Sequence, residues 1–217
     1  MGRFMAEISN EFIDSTWESE VATPTVEHHD GATIGFRFAC ASEIARIHEL
    51  TVREIGPDVA SLGVMQRIHQ FDPASLSVVL RAEPGSKGFR IVGAYGYLFL
   101  NQKGVALLEE GLLDTRDPEM SALALPDERP AQLYIWLMVA RKLTALLAPL
   151  VIKAYPKARY GGVPLAARAG TTAGLKSALQ AAIHDGNRTA GGVGDVFKID
   201  LARTAVGVRL REMEQRQ

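Results

Sequence analysis

From Thr33 onward, apolar positions switch between a period of two and a period near 3.6, and each switch marks an element boundary. "TIGFRFAC" (33–40) alternates and is rich in aromatic and β-branched side chains, which predicts a strand. "ASEIARIHELTVREIG" (41–56) places Ile44, Ile47, Leu50 and Thr51 at helical spacing, with Ser42 as N-cap and Gly56 as stop. "DVASLGVMQRIHQF" (58–71) repeats that logic: Val59, Leu62, Met65 or Val64, and Ile68 share one face, and Asp58 supplies the cap. Strands follow at 75–83 and 89–101, joined by the turn "PGSKG". "GVALLEEGLL" (104–113) predicts a short helix, and the proline-bearing stretch 114–130 a loop.

The second half continues the alternation. "QLYIWLMV" (132–139) is nearly continuous in apolar residues, the pattern of a strand buried on both faces. "RKLTALLAPLVIKA" (141–154) predicts a helix with a kink or early stop at Pro149. A strand in "YGGVPLAARA" (160–169), an amphipathic helix in "TTAGLKSALQAAIH" (171–184) and a last alternating strand in "VFKIDL" (196–201) complete the series. Interleaved strands and helices predict an α/β or α+β sheet with helices on its faces. Residues 1–32 carry seven acidic residues and one basic one, which predicts a solvated arm or a short surface helix. The core domain then spans 33–201, and 202–217 form a polar tail or short helix.

Composition narrows the class. At 217 residues the chain is long enough to bury a core without disulfide or metal. Lys and Arg total 24 against 25 Asp and Glu; a net charge of −1 offers no cationic surplus for neutralising phosphates, so no nucleic-acid partner is expected. One cysteine, Cys40, excludes a disulfide framework and a Cys-rich zinc site. The apolar tract 133–152 approaches membrane-spanning length, but Arg141 and Lys142 at its centre each cost about 2.5–3.5 kcal/mol of insertion energy. Two buried core elements are expected there, and no membrane partner. The first eight residues lack a basic start followed by an apolar run, so the expected location is cytoplasmic.

Candidate chemistry is sparse. His28, His29 and Asp30 are three metal ligands in a row, but adjacent side chains diverge, so an acidic loop is expected and no metal. His48 and Glu49 lack the second histidine of a zincin helix, and His48 and His69 are expected to be solvated or hydrogen-bonded on their helices. Cys40 lies between strand and helix, with no base assignable to it, and a structural thiol is expected. "GNRTAGGVGD" (186–195) lacks the G-K-[ST] of a phosphate loop and precedes a strand, so it predicts a connector. The junction at 139–144 is more informative. Strand 132–139 runs into a helix whose first turn holds Arg141, Lys142 and Thr144, beside amides that have no intrahelical partner. Such a turn either binds an anion or carries two solvent-facing cations.

This order of elements, from strand 33–40 to helix 171–184, resembles the GNAT superfamily of acyl-CoA N-acyltransferases. The resemblance implies a mixed, mostly antiparallel central sheet flanked by helices on both faces. It also implies that Val139, Arg141, Lys142, Leu143 and Thr144 grip the pyrophosphate of acetyl-CoA or another acyl-CoA, used as co-substrate. In the family's signature, Gln or Arg is followed after two residues by Gly and then, one residue on, by Gly or Ala. Arg141 matches the first position, whereas Thr144 and Leu146 stand where the small residues are expected. Family members often carry a carboxylate on the central strand and a tyrosine in the helix after the next strand; here Tyr134 on the central strand is the catalytic candidate, with Glu128 a distant second. The activity implied is acyl transfer to a small-molecule or peptide amine, with a homodimer as the common assembly. Two alternatives stand beside it: a GNAT-like binding or interaction module without catalysis, and a transferase that takes its acyl group from an acyl-carrier protein.

Overall fold

The structure is a computed structural model that describes residues 24–29, 31–86, 88–139, 154–155, 157–168 and 196–199. Among these residues seven strands form one sheet in chain order: β1 (Thr25–His29), β2 (Ala32–Phe38), β3 (Leu76–Ala82), β4 (Arg90–Leu100), β5 (Gln132–Val139), β6 (Leu165–Arg168) and β7 (Val196–Ile199). Every neighbouring pair is antiparallel except β5 and β6, which run parallel. The described helices are α1 (Ile44–Ile55), α2 (Leu62–Phe71), α3 (Gln102–Glu109) and the single turn α4 (Lys157–Tyr160). The architecture is thus the mixed, mostly antiparallel α+β sheet that the sequence pattern and the resemblance imply.

Each face of the sheet buries its own cluster. On one, Ile44, Ile47 and Leu50 of α1 and Val64, Met65 and Ile68 of α2 pack onto Leu76, Val78, Ala94 and Leu98. These are the residues whose 3.6-residue spacing predicted helices. On the other, Phe36, Tyr95, Tyr97 and Phe99 meet Tyr155 and Tyr160, so the end of α4 and the chain just before it cover this face with aromatic rings. The rings meet edge-on: Tyr155 stands at 5.4 Å and 81° to Tyr97, and at 5.0 Å and 86° to Tyr160.

The sequence pattern differs from the structure at several element ends. Residues 25–29, read as part of the acidic arm, form an edge strand that pairs with β2 from Thr25↔Phe36 to His29↔Ala32 around Gly31 (φ 77°). A hairpin edge is held by backbone hydrogen bonds, so its side chains need not be apolar and the pattern carries no sign of it. Helix α1 follows a 3₁₀ turn at Ala41–Glu43, and the N–H of Cys40 donates to Glu43 Oε2 (2.8 Å), so Ser42 is not the cap. Ser61, rather than Asp58, caps α2 by accepting from the Val64 N–H at 3.3 Å; Asp58 instead pairs with Arg116 at 2.9 Å. Helix α3 starts two residues early because Asn101 Oδ1 accepts from Gly104 N–H at 3.0 Å. Strand β6 is shorter than predicted, since the turn at Gly161–Gly162 (φ 71° at Gly162) and Pro164 precede it. The helices expected at 141–154 and 171–184 and the tail at 202–217 lie outside the described residues, apart from Ala154, which is helical.

Helix α3 is pressed against the 3₁₀ turn Met120–Ala122 so closely that a methyl group on Gly104 would lie 2.2 Å from the Ala122 carbonyl oxygen. By contrast, Gly63 in α2 faces open space. Gly104→Ala is expected to destabilise the fold by about 1–3 kcal/mol, because backbone and not a flexible side chain must give way. Gly63→Ala should stabilise it by about 0.4–1 kcal/mol through the unfolded-state entropy it removes. Urea unfolding of both variants checks the pair, and equal midpoints would refute the close approach.

Candidate functional site

Among the described residues, strands β5 and β6 are joined by three residue pairs, Leu133↔Leu165, Tyr134↔Ala166 and Ile135↔Ala167. Beyond Ile135, β5 continues through Trp136, Leu137, Met138 and Val139 with no partner on the β6 side among the described residues. On its other side it stays paired with β4 to the end. The register there slips by one: Tyr97 faces Ile135 while Gly96 faces Leu137, so Trp136 is the extra residue of a β-bulge. A methyl group on Gly96 would lie 2.8 Å from Leu137 Cγ, which explains the glycine opposite the bulge.

The bulge resets the alternation of faces. Tyr134 and, after it, Leu137 and Val139 all join the cluster beneath α1 and α2, whereas Leu133, Ile135 and Met138 pack with the aromatic cluster. Trp136 packs against the first cluster too, and its indole N–H donates to the Thr115 carbonyl at 2.6 Å. The loop after α3 is thereby fastened to β5 at its bulge.

Tyr134, the catalytic candidate, is 3% exposed at this point. Burial pushes its phenol up from the ordinary range; the Arg168 cation and the Thr115 hydroxyl beside it pull it part of the way back. The group is therefore a neutral hydroxyl at physiological pH, a proton donor rather than a base. Glu128 sits in the loop before β5, where its carboxylate accepts from the Leu125 N–H at 3.1 Å and so closes a turn. Val139 is the last residue of β5 and is buried. Arg141, Lys142, Leu143 and Thr144 lie outside the described residues.

The remaining candidates are accounted for locally. His28 and His29 are on β1, Asp30 is outside the described residues, and no group of three or more metal-ligating side chains occurs among those described. His69 is buried, and its Nε2 lies 2.9 Å from the Ala39 carbonyl oxygen. Cys40 is half-buried at the turn from β2 to α1, with its Sγ 3.7 Å from Arg37 Nη1. Arg37 spends its charge on Glu43, through bonds of 2.8 and 2.7 Å. Burial lowers the pKa of this guanidinium, but the Glu43 hydrogen bonds and charge outweigh burial and leave it raised.

Two features escaped the sequence reading. Asp72, at the end of α2, is 3% exposed and accepts from Arg159 Nη2 at 2.9 Å. Arg159 also reaches the carbonyls of Leu125 (3.0 Å) and Glu128 (3.0 Å) and lies over the rings of Phe99 and Tyr160. One side chain thus ties α4 to α2, to β4 and to the loop before β5. The other feature is Arg168, the last residue of β6. Its Nε is buried and has no hydrogen-bond partner among the described residues, and neither does Gln132 Oε1 at the start of β5. Residues so far apart in sequence, with no local motif, give no one-dimensional signal.

No family model matches the chain, and no curated protein matches it. Among solved structures it is similar to one described as GphF GNAT-like decarboxylase in complex with isobutyryl-CoA. That similarity covers 77% of this chain and 82% of the other, at 18% identity and a TM-score of 0.45. The element order and the one parallel pair in an antiparallel sheet agree with the resemblance read from the sequence. No helix among the described residues is long and apolar enough to cross a membrane.

The aromatic face carries its own titration. Burial pushes the phenols of Tyr95, Tyr97 and Tyr155 far up, and that of Tyr160 to about 12, with Arg159 opposing the rise at Tyr160. A phenol whose pKa is higher folded than unfolded holds its proton in the native state while the unfolded chain loses it. Its contribution is fully present below pH about 10 and is lost as pH rises above it, by about 1.4 kcal/mol per pH unit for each such tyrosine. Thermal melts between pH 8 and 12 should show stability flat at first and then falling steeply. Tyr97→Phe should flatten the fall; an unchanged slope would remove Tyr97 from the titrating set.

Proposed function

We propose that this protein binds an acyl-CoA and transfers its acyl group to an amine. What supports the reading is the setting of β5, the strand that runs parallel to β6 in an otherwise antiparallel sheet and carries the buried phenol of Tyr134. In sequence it leads directly to the cations Arg141 and Lys142 and the hydroxyl of Thr144. In this reading Val139 delivers the chain to Arg141, Lys142, Leu143 and Thr144, whose amides and cations take the pyrophosphate. The solved structure named above contains isobutyryl-CoA, which fits an acyl-CoA as ligand.

Aminolysis of a thioester demands orientation and proton transfer more than a dedicated nucleophile. The neutral amine attacks the thioester carbonyl, the C–S bond breaks, and the amine's surplus proton leaves to water. Tyr134, kept protonated by burial, gives its proton to the departing thiolate and is reprotonated from solvent. A second reading is favoured by the depth of Tyr134, 3% exposed within the helix-side core: a GNAT-like module that binds its ligand without turning it over.

Calorimetry with acetyl-CoA and longer acyl-CoAs tests the binding. Micromolar affinity is expected, weakened at least several-fold in Arg141→Ala. Absence of binding at millimolar ligand overturns the proposal. Release of free thiol in the presence of amines separates the two readings. Turnover reduced about 10²-fold or more in Tyr134→Phe, with acyl-CoA affinity retained, supports transfer. Binding without any turnover leaves the module.

A further inference from the structure

Tyr134 supplies the proton in the proposed transfer, yet it is 3% exposed, so a ligand reaches its phenol only when something covering it moves. Helices α1 and α2 are poorly suited to such movement. Ile44, Ile47, Leu50, Val64, Met65 and Ile68 fix them to the sheet as a close-packed apolar layer. The tip of the loop between α3 and β5, residues 114–117, is held in another way. The Thr115 hydroxyl lies beside the Tyr134 phenol, and the Thr115 carbonyl accepts from the Trp136 indole N–H at 2.6 Å, so this tip is part of the cover.

Both flanks of the tip are fixed. Before it, Leu113 is buried in the helix-side cluster, and the N–H groups of Leu112 and Leu113 donate to the Leu107 carbonyl at 2.8 and 3.0 Å. After it, Pro118 is buried, and Asn101 Nδ2 donates to the carbonyls of Ser121 (3.0 Å) and Leu123 (2.9 Å). The tip itself is turned by a bond of its own, from the Arg116 N–H to Asp114 Oδ1 at 2.9 Å. Among the described residues, its side chains reach the α2 region through ion pairs: Arg116 with Asp58 ahead of α2 at 2.9 Å, and Asp117 with Arg67 of α2. All four partners are exposed, so water and salt compete for each charge. Segments held by few buried apolar contacts are the ones that open at least cost.

We propose that residues 114–117 form a gate over Tyr134, closed onto α2 by the Arg116–Asp58 and Arg67–Asp117 pairs and moving between Leu113 and Pro118 to admit ligand. Rising ionic strength screens both pairs and favours the open form. The depth of Tyr134 is then a property of the closed gate, and closure over bound ligand keeps water from the reacting groups. What the gate admits, an acyl-CoA, rests on the acyl-transfer reading; the motion of the tip does not.

The test reads the tip itself, in the full chain. With Trp17→Phe, Trp136 is the one tryptophan left, and its quenching by acrylamide reports whether the tip covers it. The quenching constant is expected to rise at least about twofold between about 0.05 and 0.5 M sodium chloride. In Asp58→Asn/Asp117→Asn it should be high at both salt concentrations. Hydrogen exchange on the unsubstituted chain should show the amides of 114–117 exchanging at least about tenfold faster at the higher salt, with those of α2 unchanged. Equal quenching or equal exchange at the two salts overturns the gate. So does an equal rise along α2, since the helix would then loosen as a whole. Thiol release from acetyl-CoA in the presence of amines connects the motion to access. At low salt and subsaturating acetyl-CoA the double variant should run at least about twofold faster than the unsubstituted chain. An unchanged rate in a variant whose tip is open overturns the gating of Tyr134. Absence of thiol release from the unsubstituted chain and the double variant alike removes the acyl-transfer reading, and quenching and exchange still decide whether the tip opens.

Discussion

A parallel pair inside an antiparallel sheet obliges the chain to leave one end of β5 and re-enter at the same end of β6, and no tight turn can do that. Residues 140–164 make this crossover. Its described part, Ala154, Tyr155 and 157–164, lies on the aromatic face, where Tyr155 and Tyr160 are buried among Phe36, Tyr97 and Phe99. The crossover is held by burial of large rings and by one arginine, Arg159, whose bonds run to α2, to the loop before β5 and to the ring of Tyr160. Losing the Asp72–Arg159 contact would leave a charge buried at 5% side-chain exposure, a change of the kind that costs about 3–5 kcal/mol.

The bulge at Trp136 gives β5 its second property. A regular strand would have sent Leu137 and Val139 to the aromatic face; the extra residue keeps them with Tyr134 under the helices. Among the described residues, β5 thus sets Tyr134, Leu137 and Val139 under the helices while three of its residues pair in parallel with β6.

Burial rather than charge sets the chemistry available here. Tyr134 is a protonated phenol because it is desolvated, and neither the neighbouring cation nor the nearby hydroxyl reverses that. Among the described residues, the buried carboxylate of Asp72 is held by Arg159, Glu43 is held by Arg37, and Glu128 closes a turn with the Leu125 N–H. The proposed mechanism accordingly relies on orientation and a single proton donor.

How much of this was legible in one dimension follows from the range of the forces involved. Periodic burial is a local signal, so Ile44, Ile47 and Leu50, or Val64, Met65 and Ile68, declared their helices, and the apolar run 132–139 declared β5 to the residue. The resemblance to an acyltransferase fold rested on that order of elements. Strand β1 was hidden because a hairpin edge is held by backbone pairing, which is nearly blind to side-chain polarity. The Asp72–Arg159 pair and the meeting of Tyr134 with Arg168 join positions 87 and 34 residues apart, and no periodicity reaches across such distances. Sequence alone determined the buried faces of α1 and α2 and the extent of β5. Which strands run parallel, where β5 bulges and which distant charges meet were decided only when the sheet closed, because register and ion pairing are properties of neighbours in space.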